Sequence, residues 1–190
     1  MFYKKLSTPF NWNEICHDIR VYRSAWKNTA LYYEDDRDYL SIGSLEDYLM
    51  YLGVYKYIRS VGHTVIYPRE QIPIHVDNYE SYIWSLTLPF RNPEDTYNCF
   101  YEDEGKLPFT DHGDRGYGPY AINKGWLHPN PDKAVQIDQV EVDCPMFLNT
   151  SVPHNVINTG EKIREALVVR MSLDFDIGKF HGTKVHKDSN

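Results

Sequence analysis

The feature that most limits what this chain can fold into is a change of period at residue 63. Beyond it, apolar residues stop recurring at helical spacing. They alternate instead, in short runs broken by Gly, Pro, Asn and Asp. The last run is the cleanest: Leu167, Val169, Met171, Leu173 and Phe175 fall on one face of a strand, with Ala166, Val168, Arg170 and Ser172 on the other. The runs at 64–67, 72–76, 82–90, 97–102, 135–142, 145–149 and 152–157 read in the same way. About eight short strands in succession predict a mainly β (α+β) fold. The architecture that suits them is a double-stranded antiparallel β-helix, a cupin-like jelly roll, over residues 63–175.

Residues 1–62 read as a helical part that braces this core. Asn11-Trp12-Asn13 can cap a helix running through Ile15, Ile19, Val21 and Tyr22. Ser44-Leu45-Glu46-Asp47 resembles a capping box, and Leu45, Leu49, Leu52, Tyr55 and Ile58 keep helical spacing until Gly62. The acidic stretch 34–38 reads as a solvated turn. Residues 103–133 hold many Gly, Pro and Asp without a period, which suits a lid, a binding loop or disorder, with 111–120 as the candidate lid. Residues 176–190 form a polar tail. All 190 residues fit one domain, long enough to bury roughly 70% of the unfolded surface.

Sixteen tyrosines favour strands and half-wet pocket walls, because the ring packs while the hydroxyl bonds. A net charge of -7 argues against general affinity for phosphate backbones, so nucleic acid is a disfavoured partner. No apolar run approaches the length of a membrane span. Cys16, Cys99 and Cys144 are odd in number and lack metal or redox spacing. They read as buried free thiols in a reducing compartment, which predicts a cytoplasmic location.

The chemistry-bearing residues are His75 and Asp77 in Ile72-Pro73-Ile74-His75-Val76-Asp77, His154 in Val152-Pro153-His154-Asn155-Val156, and Arg164. Two imidazoles and a carboxylate can occupy one face of an Fe(II) ion and leave the opposite positions open. An arginine beyond the second histidine can grip the carboxylate of a keto-acid cosubstrate through two parallel hydrogen bonds. A lone His-x-Asp is weak, and His112-Gly113-Asp114 fits it as well. Strand order decides between them. Four candidate strands separate His75 from His154 and only two separate His112 from it, and the glycines around His112 favour a turn. Taken singly, His154 reads as a hydrogen-bonded core histidine and Arg164 as a surface charge. In order and at this spacing they read as one site.

The segment from Phe147 to Phe175, with Arg164 ten residues after His154, resembles the 2-oxoglutarate/Fe(II)-dependent oxygenases. It is most similar to the aspartyl/asparaginyl β-hydroxylase-like branch and its small phage and bacterial relatives. Pro73-Ile74-His75-Val76-Asp77, followed by the run from Tyr82 to Phe90, looks like that branch's first ligand strand and the strand after it. The resemblance covers residues 63–175. It implies iron ligation by His75, Asp77 and His154, 2-oxoglutarate held by Arg164, and hydroxylation of an unactivated carbon with O2. The substrate would be an amino acid, a peptide or a protein side chain. The chain departs from the branch in two ways. The characterised β-hydroxylases carry glycine where Asp77 stands, and basic residues where Trp84 and Leu86 stand. Arg170, on the same strand face as Arg164, is the reserve anchor for the cosubstrate's second carboxylate.

Two other readings fit the same residues. One is a non-catalytic jelly-roll module, binding or virion-associated. The other is a metal-dependent cupin enzyme without 2-oxoglutarate, in which His63 would add a ligand. Tyr82, Trp84 and Tyr97 read equally as pocket lining and as plain core. The sequence leaves substrate and oligomeric state open.

Overall fold

The structure is a computed structural model and describes residues 1–7, 11–25, 37–77, 83–102, 126–127 and 133–180. The candidate lid 111–120, His112, Asp114 and Tyr82 lie outside the described residues, as do the end of the tail and most of 103–133.

Among the described residues there are two α-helices. Helix α1 (Trp12–Ala25) buries Ile15 and Ile19 completely, four residues apart on one face. Helix α2 (Gly43–Tyr51) buries Leu45, Tyr48 and Leu49. It is shorter than the spacing predicts. Gly53, at φ +70, reverses the backbone, Gly53 N–H returns to the Met50 carbonyl, and Val54 N–H returns to that of Leu49. This left-handed stop ends the helix eleven residues before the strand-like Thr64. Leu52, Tyr55 and Ile58 keep helical spacing because all three pack against the same core, although Tyr55–Tyr57 is a 3-10 turn. Ser44 is not the cap. Ile42 holds that position, and the Ser44 hydroxyl instead donates to Asp18 at 2.6 Å, tying α2 to α1.

Ten strands form two five-stranded antiparallel sheets among the described residues. They are β1 (Tyr3–Lys5), β2 (Ile58–Ile66), β3 (His75–Val76), β4 (Trp84–Arg91), β5 (Thr96–Tyr101), β6 (Trp126–Leu127), β7 (Gln136–Glu141), β8 (Met146–Asn149), β9 (His154–Asn158) and β10 (Arg164–Met171). The first sheet runs β1-β8-β4-β10-β2 and the second β6-β3-β9-β5-β7. The mainly β expectation is met, with differences at the edges. β1 and the start of β2 fall within the part read as helical, and β6 within the part read as a loop. The last run, which alternation carries on to Phe175, stops as a strand at Met171, leaving Leu173 53% exposed.

The two faces of the first sheet differ in kind. Leu86, Leu88, Phe147, Leu167, Val169 and Met171 pack under Ile15, Ile19, Leu45 and Leu49 of the helices. Each such side chain contributes about 1.5–3 kcal/mol through burial. The alternate residues face inward, toward the second sheet. Register places Ser60, Arg170 and Ser85 side by side across β2, β10 and β4, then Gly62, Val168 and Thr87, then Thr64, Ala166 and Pro89. Four of these nine positions are Ser or Thr, with Gly62, Ala166, Val168 and Pro89 among them, so the face between the two arginines is more polar than the helix-covered one. We call this inner face the slot. Beside it the sheets close on Phe100, Val140 and Val142 from one side, and on Met146 and Leu148 from the other.

Candidate metal centre

His75 lies directly opposite His154 in the antiparallel pairing of β3 and β9. Directly opposed residues hold their Cβ atoms about 5 Å apart, so strand register alone brings the two imidazoles together. Their ring centroids are 4.4 Å apart. Asp77 follows His75 by two residues and so shares its face. Its backbone N–H donates to the Thr150 carbonyl at 3.0 Å, which holds it beyond the end of the short strand. One ligand atom from each of His75, Asp77 and His154 lies within 4.8 Å of the other two, and no other such group occurs among the described residues.

Each imidazole is oriented by the backbone two residues behind it. His75 Nδ1–H donates to the Pro73 carbonyl at 2.7 Å and His154 Nδ1–H to that of Val152 at 2.9 Å. Both rings then present the Nε2 lone pair, the arrangement metal-bound histidines adopt. The Asp77 carboxylate stands 3.4 Å from His75 Nε2. Two lone pairs facing one another at that distance need a cation between them, a proton or a metal.

The electrostatics agree. Burial works to lower the His75 pKa, but the hydrogen bond and charge of Asp77 carry it above its ordinary value. Burial works to raise the Asp77 pKa, and contact with His75, aided by the charges of His154 and Arg170, holds it well below the usual carboxylate range. His154 is lowered to about 4 by burial and by the charge of His75, so at neutral pH its lone pair is available.

Arg164 and Arg170 stand at opposite ends of the inner face of β10. Arg164 is 2% exposed and donates to the Thr64 hydroxyl at 3.1 Å. Its Nε has no hydrogen-bond partner, and no carboxylate pairs with it among the described residues. Burial alone lowers its pKa to about 10, so the guanidinium stays charged. Arg170 reaches Ser60 at 3.4 Å, and its charge is felt by both His75 and Asp77. It therefore lies at the metal end of the slot.

The remaining candidates fall elsewhere. His63 is on the helix-covered face, 3.0 Å from Glu165 and against the rings of Tyr39 and Phe90. It cannot join His75 as a further ligand. Trp84 and Leu86 pack in the core beneath the helices, and Tyr97 packs with Cys99 and Ile157 on the outer side of the second sheet. None of these three lines the slot. Sequence reasoning passed over Thr64, Ser60 and Asn98, because a Ser, Thr or Asn in an alternating strand reads as facing water.

No protein-family model matches the chain, and no curated protein is similar to it. Solved structures are similar. AviO1 from Streptomyces viridochromogenes Tue57 has a TM-score of 0.52 at 12% identity over 90% of this chain and 89% of that one. HygX from Streptomyces hygroscopicus with iron bound has 0.52 at 13%, over 92% and 83%. The epimerase SnoN in complex with Fe3+, alpha ketoglutarate and nogalamycin RO has 0.53 at 11%, over 90% and 78%. At such identities the likeness is one of fold: the two-sheet frame that brings His75, Asp77 and His154 together is the frame of AviO1, HygX and SnoN.

Proposed function

We propose that this chain is an Fe(II)- and 2-oxoglutarate-dependent oxygenase that hydroxylates an unactivated carbon of an amino acid, peptide or protein side chain. Arg164 carries the reading. A buried guanidinium with a bare Nε and no carboxylate partner among the described residues is costly to the fold, and an anionic ligand offsets that cost. The three converging donors at the other end of the slot suit Fe(II) by their number and type. A short dicarboxylate with a chelating keto end matches both. HygX with iron, and SnoN with Fe3+ and alpha ketoglutarate, lend support from the same fold. We read the two sheets as a jelly roll, and the free thiols as those of a cytoplasmic protein.

His75, Asp77 and His154 would hold the metal, with the Pro73 and Val152 carbonyls keeping both Nε2 atoms aimed at it. When bound, iron, 2-oxoglutarate and O2 supply the oxidation: the keto acid becomes succinate and CO2, and one oxygen atom enters a C–H bond of the substrate. Arg164 grips the distal carboxylate and sets how far the keto acid reaches. Arg170, at the metal end, offers its charge to the other carboxylate. That is the task which basic residues at positions 84 and 86 perform in the β-hydroxylases. In this chain those two positions face the helices. The likeness of 73–77 and 147–175 to that branch stays part of the proposal, and the full triad sets this chain apart within it.

Anaerobic titration of the protein with Fe(II) and then 2-oxoglutarate tests the proposal. A weak visible charge-transfer band is expected, absent in His75→Ala and requiring far more 2-oxoglutarate in Arg164→Ala. Succinate formation under O2 should follow the same pattern. SnoN is an epimerase, so the product's mass distinguishes hydroxylation from a change of configuration alone. No band in the wild-type protein would remove the enzyme reading.

A further inference from the structure

We propose that Asn98 is a cosubstrate-binding residue: it stands inside the slot between the metal centre and Arg164, and its amide donates to the distal carboxylate that Arg164 grips. The inference rests on the 2-oxoglutarate reading above and adds to it a residue which that reading does not use.

The face of β5 that carries Asn98 is fixed by its neighbours. Phe100, two residues on, packs with Met146 and Leu148 of the opposite sheet. Cys99 and Tyr101 pack on the outer side with Ile74 and Ile157. Thr96, Asn98 and Phe100 therefore look inward. The depth is fixed by register: Phe100 pairs with His154, and Asn98 with Val156. Asn98 thus sits one pleat repeat, about 7 Å along the strand, from the row of the metal ligand. A five-carbon chain anchored at the metal reaches that far.

Asn98 is completely buried, and neither its amide nitrogen nor its amide oxygen has a hydrogen-bond partner. The great majority of buried polar side-chain atoms are paired, so a doubly orphaned amide calls for an explanation. Strand propensity offers none, because Asn is depleted in strands. Its β7 and β9 neighbours, Val140 and Val156, bring only aliphatic side chains to its row. Arg164 presents a second orphan, its Nε, to the same interior. The two do not bond to each other. A carboxylate oxygen accepts from both, and an amide can donate to an anion without adding a charge to a slot that already holds two arginines.

Asn98→Leu and the near-isosteric Asn98→Asp test this. Each variant is loaded anaerobically with Mn(II), and the Kd for 2-oxoglutarate is measured by calorimetry. 2-Oxobutanoate, which keeps the keto acid and lacks the distal carboxylate, serves as the second probe. Asn98→Leu is expected to weaken 2-oxoglutarate binding by about 10- to 100-fold and leave 2-oxobutanoate unchanged. The ligand-free Tm should hold or rise, because an unsatisfied amide is removed. Asn98→Asp should weaken 2-oxoglutarate further, carboxylate against carboxylate. Equal Kd values for 2-oxoglutarate in wild type and both variants would overturn the inference while leaving the oxygenase reading intact. Equal weakening of both probes with a lowered Tm would overturn it too, making Asn98 a packing residue. A wild-type protein that binds no 2-oxoglutarate overturns both readings together.

Discussion

The most consequential single side chain in this protein is Arg164, and its energetics point in two directions. As a strand residue it is expensive: the guanidinium is 2% exposed, its Nε is unmet, and its one side-chain hydrogen bond among the described residues is to the Thr64 hydroxyl. As a ligand for an anion it is ready-made. Arg164→Met keeps the length and removes the charge. The variant is expected to leave the ligand-free protein as stable as wild type in urea, or more stable by up to about 2 kcal/mol, while losing 2-oxoglutarate binding. A marked loss of stability would instead make Arg164 a structural strut. Spacing from His154 was enough to single this residue out, and period 2 was enough to pair His75 with Asp77. Asn98 was not legible for a physical reason. Alternation assigns polar residues in a strand to the wet side, and here the inward side is the polar one. Only three-dimensional neighbours reveal the inversion.

At the scale of elements, β10 is held by a clamp on its outer face that positions Arg164 from behind. Glu165, the next residue, accepts from Arg91 of β4 at 2.5 Å and bonds His63 of β2 at 3.0 Å, so three strands meet on one carboxylate. Two residues of β4, Phe90 and Arg91, oppose Glu165 there, which makes a bulge. The bulge has a cause in the sequence: Pro89 lacks an N–H, and a proline in a central strand requires an interrupted ladder. Burial works to raise the Glu165 pKa, but His63 and Arg91 together hold it below the ordinary 4.5. A carboxylate depressed in the folded state contributes its full stability above its unfolded value and loses it as pH falls through the folded one. Glu165→Gln is therefore expected to cost about 2–3 kcal/mol in urea at neutral pH. The gap from wild type should narrow as pH falls below the ordinary 4.5 and through the depressed folded value. A gap independent of pH would show that the charge of Glu165 does not matter. Elsewhere at this scale the strands were legible by period. The length of α2 was not, because Leu52, Tyr55 and Ile58 serve the same core whether or not the backbone between them is helical.

Across the described residues, the shortest strand ladder lies where the site is, with the Gln71–Ile157 bridge beside it. The first sheet is sealed under two helices, and its long strands β2, β4 and β10 are paired along their length. In the second sheet, β3 is two residues long and meets β9 at the single pair His75 and His154. So few ladder bonds leave local opening of β3 governed by whatever else joins it to β9. A metal held by His75, Asp77 and His154 is such a join, and it binds only the folded arrangement. At a free metal concentration of 100 times Kd, that linkage adds about 2.7 kcal/mol. For a protein of this size the gain corresponds to a Tm higher by roughly 5–10 °C. Calorimetry with Mn(II) or anaerobic Fe(II) should show the rise, a chelator should reverse it, and His154→Ala should abolish it. Hydrogen exchange gives the local counterpart. Protection gained on metal addition should concentrate at the backbone amides of His75, Val76 and Asp77 and at β9, with β2 and β10 little changed. Protection spread evenly over both sheets, or a Tm indifferent to metal, would mean that the three side chains converge without acting as one centre.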